Sequence, residues 1–402
     1  MAVGWASSAA TSLLLSAVGF AACGGAREAS PSMSSVGAWH PLSPGTPPRV
    51  APDLSPPIIG VWSGRSLLVW GRTAYCPDGG NAAGFCPTGA SYDPSADQWA
   101  SVSLIGGPAA RDLSSGTWIG SGLLVWGGEG CGTLLGACTD GSVYDPSSDS
   151  WSSIAGPAPI ASRGQHTAVW NGSVLMVFGG VALPRASGSL VTLGDGATYD
   201  PASHQWSAMS SAGGPSSRYW HSAIWTGRQM IVWGGSHDGT NPLGDGATYD
   251  PAADTWTPLP TENAPLARYL HSAVWTGVEM IVWAGLGCTR DARGVLPCSD
   301  GGAYNPGTGR WRRLATAGAP RPSNGAQAVW TGSKMLVWGG EDSAGGAAYD
   351  PQTDAWTAMT TAGQPSPRSG QVALWTGSEL LVWGGLVGEG TTLDGGLFVL
   401  SP

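Results

Sequence analysis

Residues 222–235 read SAIWTGRQMIVWGG, and residues 245–256 read DGATYDPAADTW. Two short apolar runs, ending at Trp225 and Trp233, flank Thr226-Gly227, the pattern of two strands joined by a tight turn. Gly234-Gly235 stops the second run. Asp245-Gly246 opens a third strand that ends at Tyr249, and Asp250-Pro251 turns the chain into a fourth that ends at Trp256. This stretch therefore predicts a four-stranded antiparallel meander.

The same text recurs along the chain. Trp-x-Gly, five residues and a second aromatic begins at Trp62, Trp118, Trp170, Trp225, Trp275, Trp330 and Trp375, with the second aromatic at Trp70, Trp126, Phe178, Trp233, Trp283, Trp338 and Trp383. Tyr-Asp/Asn-Pro begins at Tyr92, Tyr144, Tyr199, Tyr249, Tyr304 and Tyr349 and is answered by Trp99, Trp151, Trp206, Trp256, Trp311 and Trp356. The missing copy is divided between the chain ends: Phe398 takes the Tyr position, and Trp39-His40-Pro41-Leu42 parallels Trp256-Thr257-Pro258-Leu259. With that copy restored, 20 of the 22 tryptophans sit at repeat positions, leaving Trp5 and Trp220 outside. A lone meander cannot bury both faces, whereas sheets packed radially bury each face against a neighbour and leave few open edges. The expected fold is all-β: a seven-bladed β-propeller of four-stranded antiparallel blades over residues 36–402, with residues 36–44 supplying the outer strand of the last blade.

Composition agrees. Only 11% of the 402 residues are charged, while Gly (64) and Pro (31) are abundant, so turns are dense and long charged helices are not expected. A net charge of −9 with Lys334 as the only lysine excludes an electrostatic grip on nucleic acid. Six of the seven cysteines form local pairs, Cys76 with Cys86, Cys131 with Cys138 and Cys288 with Cys298, each inside one Gly-rich loop and none spaced C-x-x-C. Disulfides and an oxidising compartment are the expectation. The seventh, Cys23, ends an apolar run from Ala9 to Ala22 that is too short to span a bilayer. Phe20-Ala21-Ala22-Cys23-Gly24 resembles the lipobox of bacterial lipoproteins, with Phe where Leu is usual and no Lys or Arg before the apolar run. That resemblance implies a signal peptide over 1–23, lipidation of Cys23, a tether over 24–35, and an exported protein held at the bacterial envelope, with simple secretion as the alternative.

Four apolar residues, a Gly pair, then Tyr and Trp at fixed separation resemble the kelch motif of kelch-like and galactose-oxidase-like propellers, over residues 36–400. The period of about 50 residues is that of kelch repeats. The resemblance implies that each blade's first strand is innermost. It leaves function open, because such propellers include binding scaffolds, oxidases and sugar isomerases.

Aromatics needed in every blade pack blades together. Strand 1–2 and 3–4 turns share one face and are short, whereas strand 2–3 and 4–1 connections share the other, vary in length and contain the cysteine pairs, so binding is expected there. Arg111, Arg163, Arg218, Arg268 and Arg368 recur seven residues before the first-strand tryptophan, and His166, His221 and His271 follow three residues on in consecutive blades. They read either as a ring of ligand-binding groups at the channel mouth or, as recurrence favours, as ties between blades. Tyr219, Trp220 and Tyr269 do not recur, and exposed aromatics beside arginines suit a sugar ring carrying an acid group. No nucleophile–base pair, phosphate loop or paired-carboxylate signature is present. The expectation is a monomeric binding or scaffold protein for a glycan or protein ligand, touching membrane only through Cys23, without cofactor or metal; the alternative is a carbohydrate-active enzyme, epimerase- or mutarotase-like rather than a copper oxidase.

Overall fold

The computed structural model describes residues 35–42, 58–73, 76, 80, 85–131, 138–154, 156, 158–182, 190–291, 294–341, 343, 345–388 and 390–401. Cys23, the expected signal peptide and nearly all of the expected tether lie outside them. Seven four-stranded antiparallel sheets account for the repeat. Blade 4 runs Ser222–Trp225, Met230–Trp233, Gly246–Asp250 and Thr255–Pro258, in sequential order. Its register sets Met230 opposite Tyr249 and Tyr249 opposite Trp256. The second strand is wholly buried, as its unbroken apolar run demands. None of the described residues is helical, and no helix is long and apolar enough to cross a membrane.

The first strands touch their neighbours all the way round the ring, so they are innermost, as the kelch resemblance implied. Blade 7 contains Val372–Trp375, Glu379–Trp383 and Gly395–Val399, and its outer strand is Ala38–Pro41, with Trp39 opposite Phe398. Val36 also exchanges backbone hydrogen bonds with blade 6, accepting from Thr360 and donating to Ala358. The N-terminal segment thus joins the last two blades.

One aromatic contact closes each interface. The second-strand aromatic of a blade meets the outer tryptophan of the next: Trp70 with Trp151, Trp126 with Trp206, Phe178 with Trp256, Trp233 with Trp311, Trp283 with Trp356, Trp338 with Trp39 and Trp383 with Trp99. Ring centroids lie 4.4 to 5.5 Å apart, all tilted, the range in which aromatic pairs add to their burial. Within each blade the outer tryptophan also packs on the Tyr or Phe398 ring opposite it. Most of these indoles are also pinned across the interface, as in Trp256 Nε1 donating to Ser210 O at 2.8 Å and Trp356 Nε1 to Ala315 O at 2.8 Å.

The Gly pair has a steric cause. At Gly234 a Cβ would come within 2.8 Å of the Arg268 carbonyl and at Gly235 within 2.7 Å of the Tyr219 carbonyl, and both residues have positive φ, 68° and 97°. The segments entering the next blade, at Arg268, and this one, at Tyr219, pass too close for a side chain at either glycine.

Candidate functional site

The long-loop face is assembled as the meander argument requires. In blades 2, 3, 4, 5 and 7 the entering segment bridges to that blade's strand 2–3 loop, as Tyr219 does with Ser236 and Tyr269 with Leu286. On this scaffold the five arginines turn inward. Arg218 donates from Nη1 to the carbonyls of Gly234 and Asp245, both at 3.0 Å, and pairs through Nη2 with the Asp245 carboxylate at 3.1 Å. Arg111, Arg163, Arg268 and Arg368 repeat this with Asp140, Asp195, Asp300 and Asp394, at 2.5 to 3.1 Å. Each guanidinium therefore staples the end of its own blade's second strand to the start of the third. Meanwhile the Arg163, Arg218, Arg268 and Arg368 carbonyls accept from Gly128, Gly180, Gly235 and Gly340 of the preceding blade. These side chains are at most 1% exposed, so the ring of ligand-facing guanidiniums that their spacing allowed is absent from the surface. Their tie to the neighbouring blade runs through the backbone.

The histidines are latches between first strands. His166 Nε2 meets Ser115 Oγ at 2.8 Å, His221 meets Thr167 Oγ1 at 2.9 Å, and His271 meets Ser222 Oγ at 2.8 Å, in each case reaching back to the preceding blade. Burial, reinforced by the nearby Arg163 or Arg268, pushes the His166 and His271 imidazoles down to about 3, and burial with Arg218 holds His221 well below the usual range. All three are neutral and hydrogen-bonded at physiological pH.

Tyr219, Trp220 and Tyr269 do converge. The Trp220 ring lies 4.6 Å from Tyr219 and 5.3 Å from Tyr269. Both tyrosines are only 5% exposed, so the expected pair of exposed tyrosines becomes a base on which the half-buried Trp220 stands. Trp220 has φ 56°, and the matching residues Leu113, Gln165 and Leu270 share that left-handed bend at 57°, 56° and 54°. The bend is a repeated feature of the propeller; the indole placed on it is particular to blade 4.

Two concavities flank this stack. One, of about 460 Å³, is lined by Leu190, Val191, Thr192, Tyr219, His237 and Asp238. Its walls are the small hairpin Val181–Ala182/Val191–Thr192 of blade 3 and the blade 4 loop, joined where Thr192 Oγ1 donates to His237 O at 2.5 Å. The other, of about 350 Å³, lies between the inner ends of blades 4, 5 and 6, with Trp220 and Leu270 on one side and Asn324 to Ala328 on the other. The sequence reading missed His237, Asp238, Asn324 and Gln327; the signal available for the last two was Ser323, standing where five other blades carry arginine.

Three disulfides close strand 2–3 loops, Cys76–Cys86, Cys131–Cys138 and Cys288–Cys298, which is consistent with an extracellular protein. Among the described residues the only convergent sets of three His, Cys, Asp or Glu groups are Cys131, Cys138 with Asp140 and Cys288, Cys298 with Asp300. Their cysteines are oxidised and their aspartates are paired with Arg111 and Arg268, so these groups do not fit a metal ion.

The fold is similar to that of a novel fungal alcohol oxidase of the AA5 family, solved in complex with copper, with a TM-score of 0.66 at 18% identity over 91% of this chain and 77% of that one. The family model for the KLHDC2/KLHL20/DRC7 Kelch-repeats domain matches residues 61–224 and, overlapping, 195–385. With seven kelch-type blades and that match over most of its length, the chain belongs to the Kelch-repeat domain family.

Proposed function

We propose that this protein is an exported kelch propeller, anchored to the cell envelope through Cys23, that binds a glycan on its long-loop face over blades 3 to 5. The observation that carries this reading is the Tyr219–Trp220–Tyr269 stack, the one aromatic cluster among the described residues of that face that the repeat does not use for packing. A half-exposed indole on a fixed aromatic base offers a flat apolar surface at small entropic cost, which suits the C–H face of a sugar ring. The arginines are paired internally with aspartates, so the reading does not include recognition of an acid group by Arg218 or Arg268. The three disulfides support the exported setting, and closing loops of this length contributes somewhat under ~3 kcal/mol of chain entropy toward pre-ordering the face.

A glycan array probed with protein lacking residues 1–23 tests the ligand. Selective binding lost in Trp220→Ala is the expected result; absence of glycan binding with capture of a protein partner would replace the glycan. Mass spectrometry of the full-length chain expressed in a bacterium with lipoprotein processing should find a diacylglyceryl group on Cys23, and a Cys23→Ala variant should be released in soluble form.

A further inference from the structure

The repeat that builds the long-loop face breaks in blade 6. In blades 4 and 5 the entering segments read Arg218-Tyr219-Trp220-His221 and Arg268-Tyr269-Leu270-His271; in blade 6 the same positions are Ser323-Asn324-Gly325-Ala326. The aspartate that pairs with arginine is gone as well, since Gly345 stands where blade 4 has Asp245. Losing both members together avoids a buried charge without its partner. Gly325 keeps the left-handed bend, with φ 80°, but projects nothing where its neighbours project Trp220 and Leu270. Without a histidine to hold, Ser272 donates instead to the Ala326 carbonyl at 3.2 Å, whereas its counterpart Ser222 holds His271 at 2.8 Å.

The space vacated is the cavity of about 350 Å³ at the channel mouth, within the range of small-molecule sites. Its walls offer the Trp220 indole and the Leu270 side chain on one side, and the exposed Asn324 and Gln327 on the other. Neither carboxamide hydrogen-bonds to another described residue. Among the described residues no Asp, Glu, Lys or Arg lines the cavity, so an ionised group entering it would lose hydration without gaining a counter-charge.

We propose that this cavity is a binding site for one uncharged, hydroxyl-bearing ring, a neutral pyranose unit, laid against Trp220 and hydrogen-bonded by Asn324 and Gln327. The inference rests on the glycan reading and adds to it the subsite and the exclusion of acidic sugars.

The test is calorimetric titration of protein lacking residues 1–23 with methyl glucoside, methyl galactoside and methyl mannoside, and with methyl galacturonide as the charged counterpart. At least one neutral glycoside should bind more than tenfold tighter than the uronide. Ala326→His restores the residue that blades 3 to 5 carry, facing Ser272, and Gly325→Leu installs the residue of blades 2 and 5 at that bend. Both cost some stability, Gly325→Leu because its Cβ would meet Ser369 Cβ at 2.7 Å with φ 80°, and Ala326→His because Ala284 stands where a Cβ on Gly234 would already meet the His271 ring at 2.7 Å. In the folded fraction each should weaken the neutral ligand at least tenfold, while Asn324→Ala and Gln327→Ala, which leave the melting temperature unchanged, weaken it several-fold. If both filled variants bind as tightly as the parent while Trp220→Ala does not, the sugar lies elsewhere on the stack; the cavity proposal fails and the glycan reading stands. Tighter binding of the uronide would also overturn the proposal, and absence of binding to all glycosides together with a silent glycan array would remove the glycan reading itself.

Discussion

Blades 4 and 6 are alike on the outside and different on the inside. Their outer tryptophans, Trp256 and Trp356, are equally buried with 7% exposed, pack on Tyr249 and Tyr349, and donate to a carbonyl of the preceding blade at the same 2.8 Å. At the inner mouth, blade 4 has the Arg218–Asp245 staple and the His221 latch, and blade 6 has Ser323, Gly345 and Ala326. The outer contact is required of every blade because seven interfaces must close one ring and none can be left unfilled. The inner staple fixes loops within its own blade, so a blade with a short strand 2–3 connection, as between Gly339 and Ala347, can do without it. Variation is tolerated where the ring does not depend on it, and that is where the cavity forms.

The largest losses are expected at the outer position. Trp256→Ala and Trp356→Ala should each cost about 3–5 kcal/mol in equilibrium denaturation, as should Trp39→Ala at the clasp. A much smaller loss for Trp39 would show that ring closure matters less than the other six interfaces.

The inner position should separate the blades. Arg218→Met leaves the Asp245 carboxylate without its partner and the buried Gly234 carbonyl without the guanidinium donor, for a loss of about 3 kcal/mol, whereas Ser323→Ala should stay well below that in the same assay. Equal losses would break the distinction.

The histidine latches predict a pH dependence. Their folded pKa values lie below the unfolded one, so the unfolded chain binds more protons in acid. Their contribution is complete above pH ~6.5 and is lost as pH falls from there toward about 3 for His166 and His271. His271→Gln should flatten the decline of stability between pH 6.5 and 4 by up to about 1.4 kcal/mol per unit, measured by denaturant titration across that window. Blade 6, which has Ala326 at this position, contributes nothing to that slope.

The smallest contrast is between two serines. Ser222→Ala leaves His271 Nε2 without a partner and should cost about 1–2 kcal/mol; Ser272→Ala removes only the contact to the Ala326 carbonyl at the cavity edge and should cost under about 1 kcal/mol.

Much of this was legible in residues. Tryptophan spacing gave the blades, the Trp39–Phe398 match gave the clasp, and loop length placed the cysteine pairs on the variable face. The arginine staples were legible and went unread. Arg111, Arg163, Arg218, Arg268 and Arg368 occur in the same five repeats as Asp140, Asp195, Asp245, Asp300 and Asp394, yet each of these aspartates precedes a glycine and fits an ordinary turn, so the pairing was hidden behind a sufficient local explanation. Tyr219 and Tyr269 misled for a related reason: non-recurrence marks a residue as free of the repeat, not as exposed.

The amino-acid sequence by itself determined the number of blades, their strand order and the way the two chain ends share one of them, because strand alternation and turn chemistry act over a few residues and repeat faithfully. Only the tertiary structure decided which way the side chains of the entering segments turn, inward to staple a blade as Arg218 does or out toward the mouth like Trp220. Those segments run irregularly between regular strands, where no period links position to direction. Side-chain direction there depends on which carbonyls and carboxylates the neighbouring loop brings within reach.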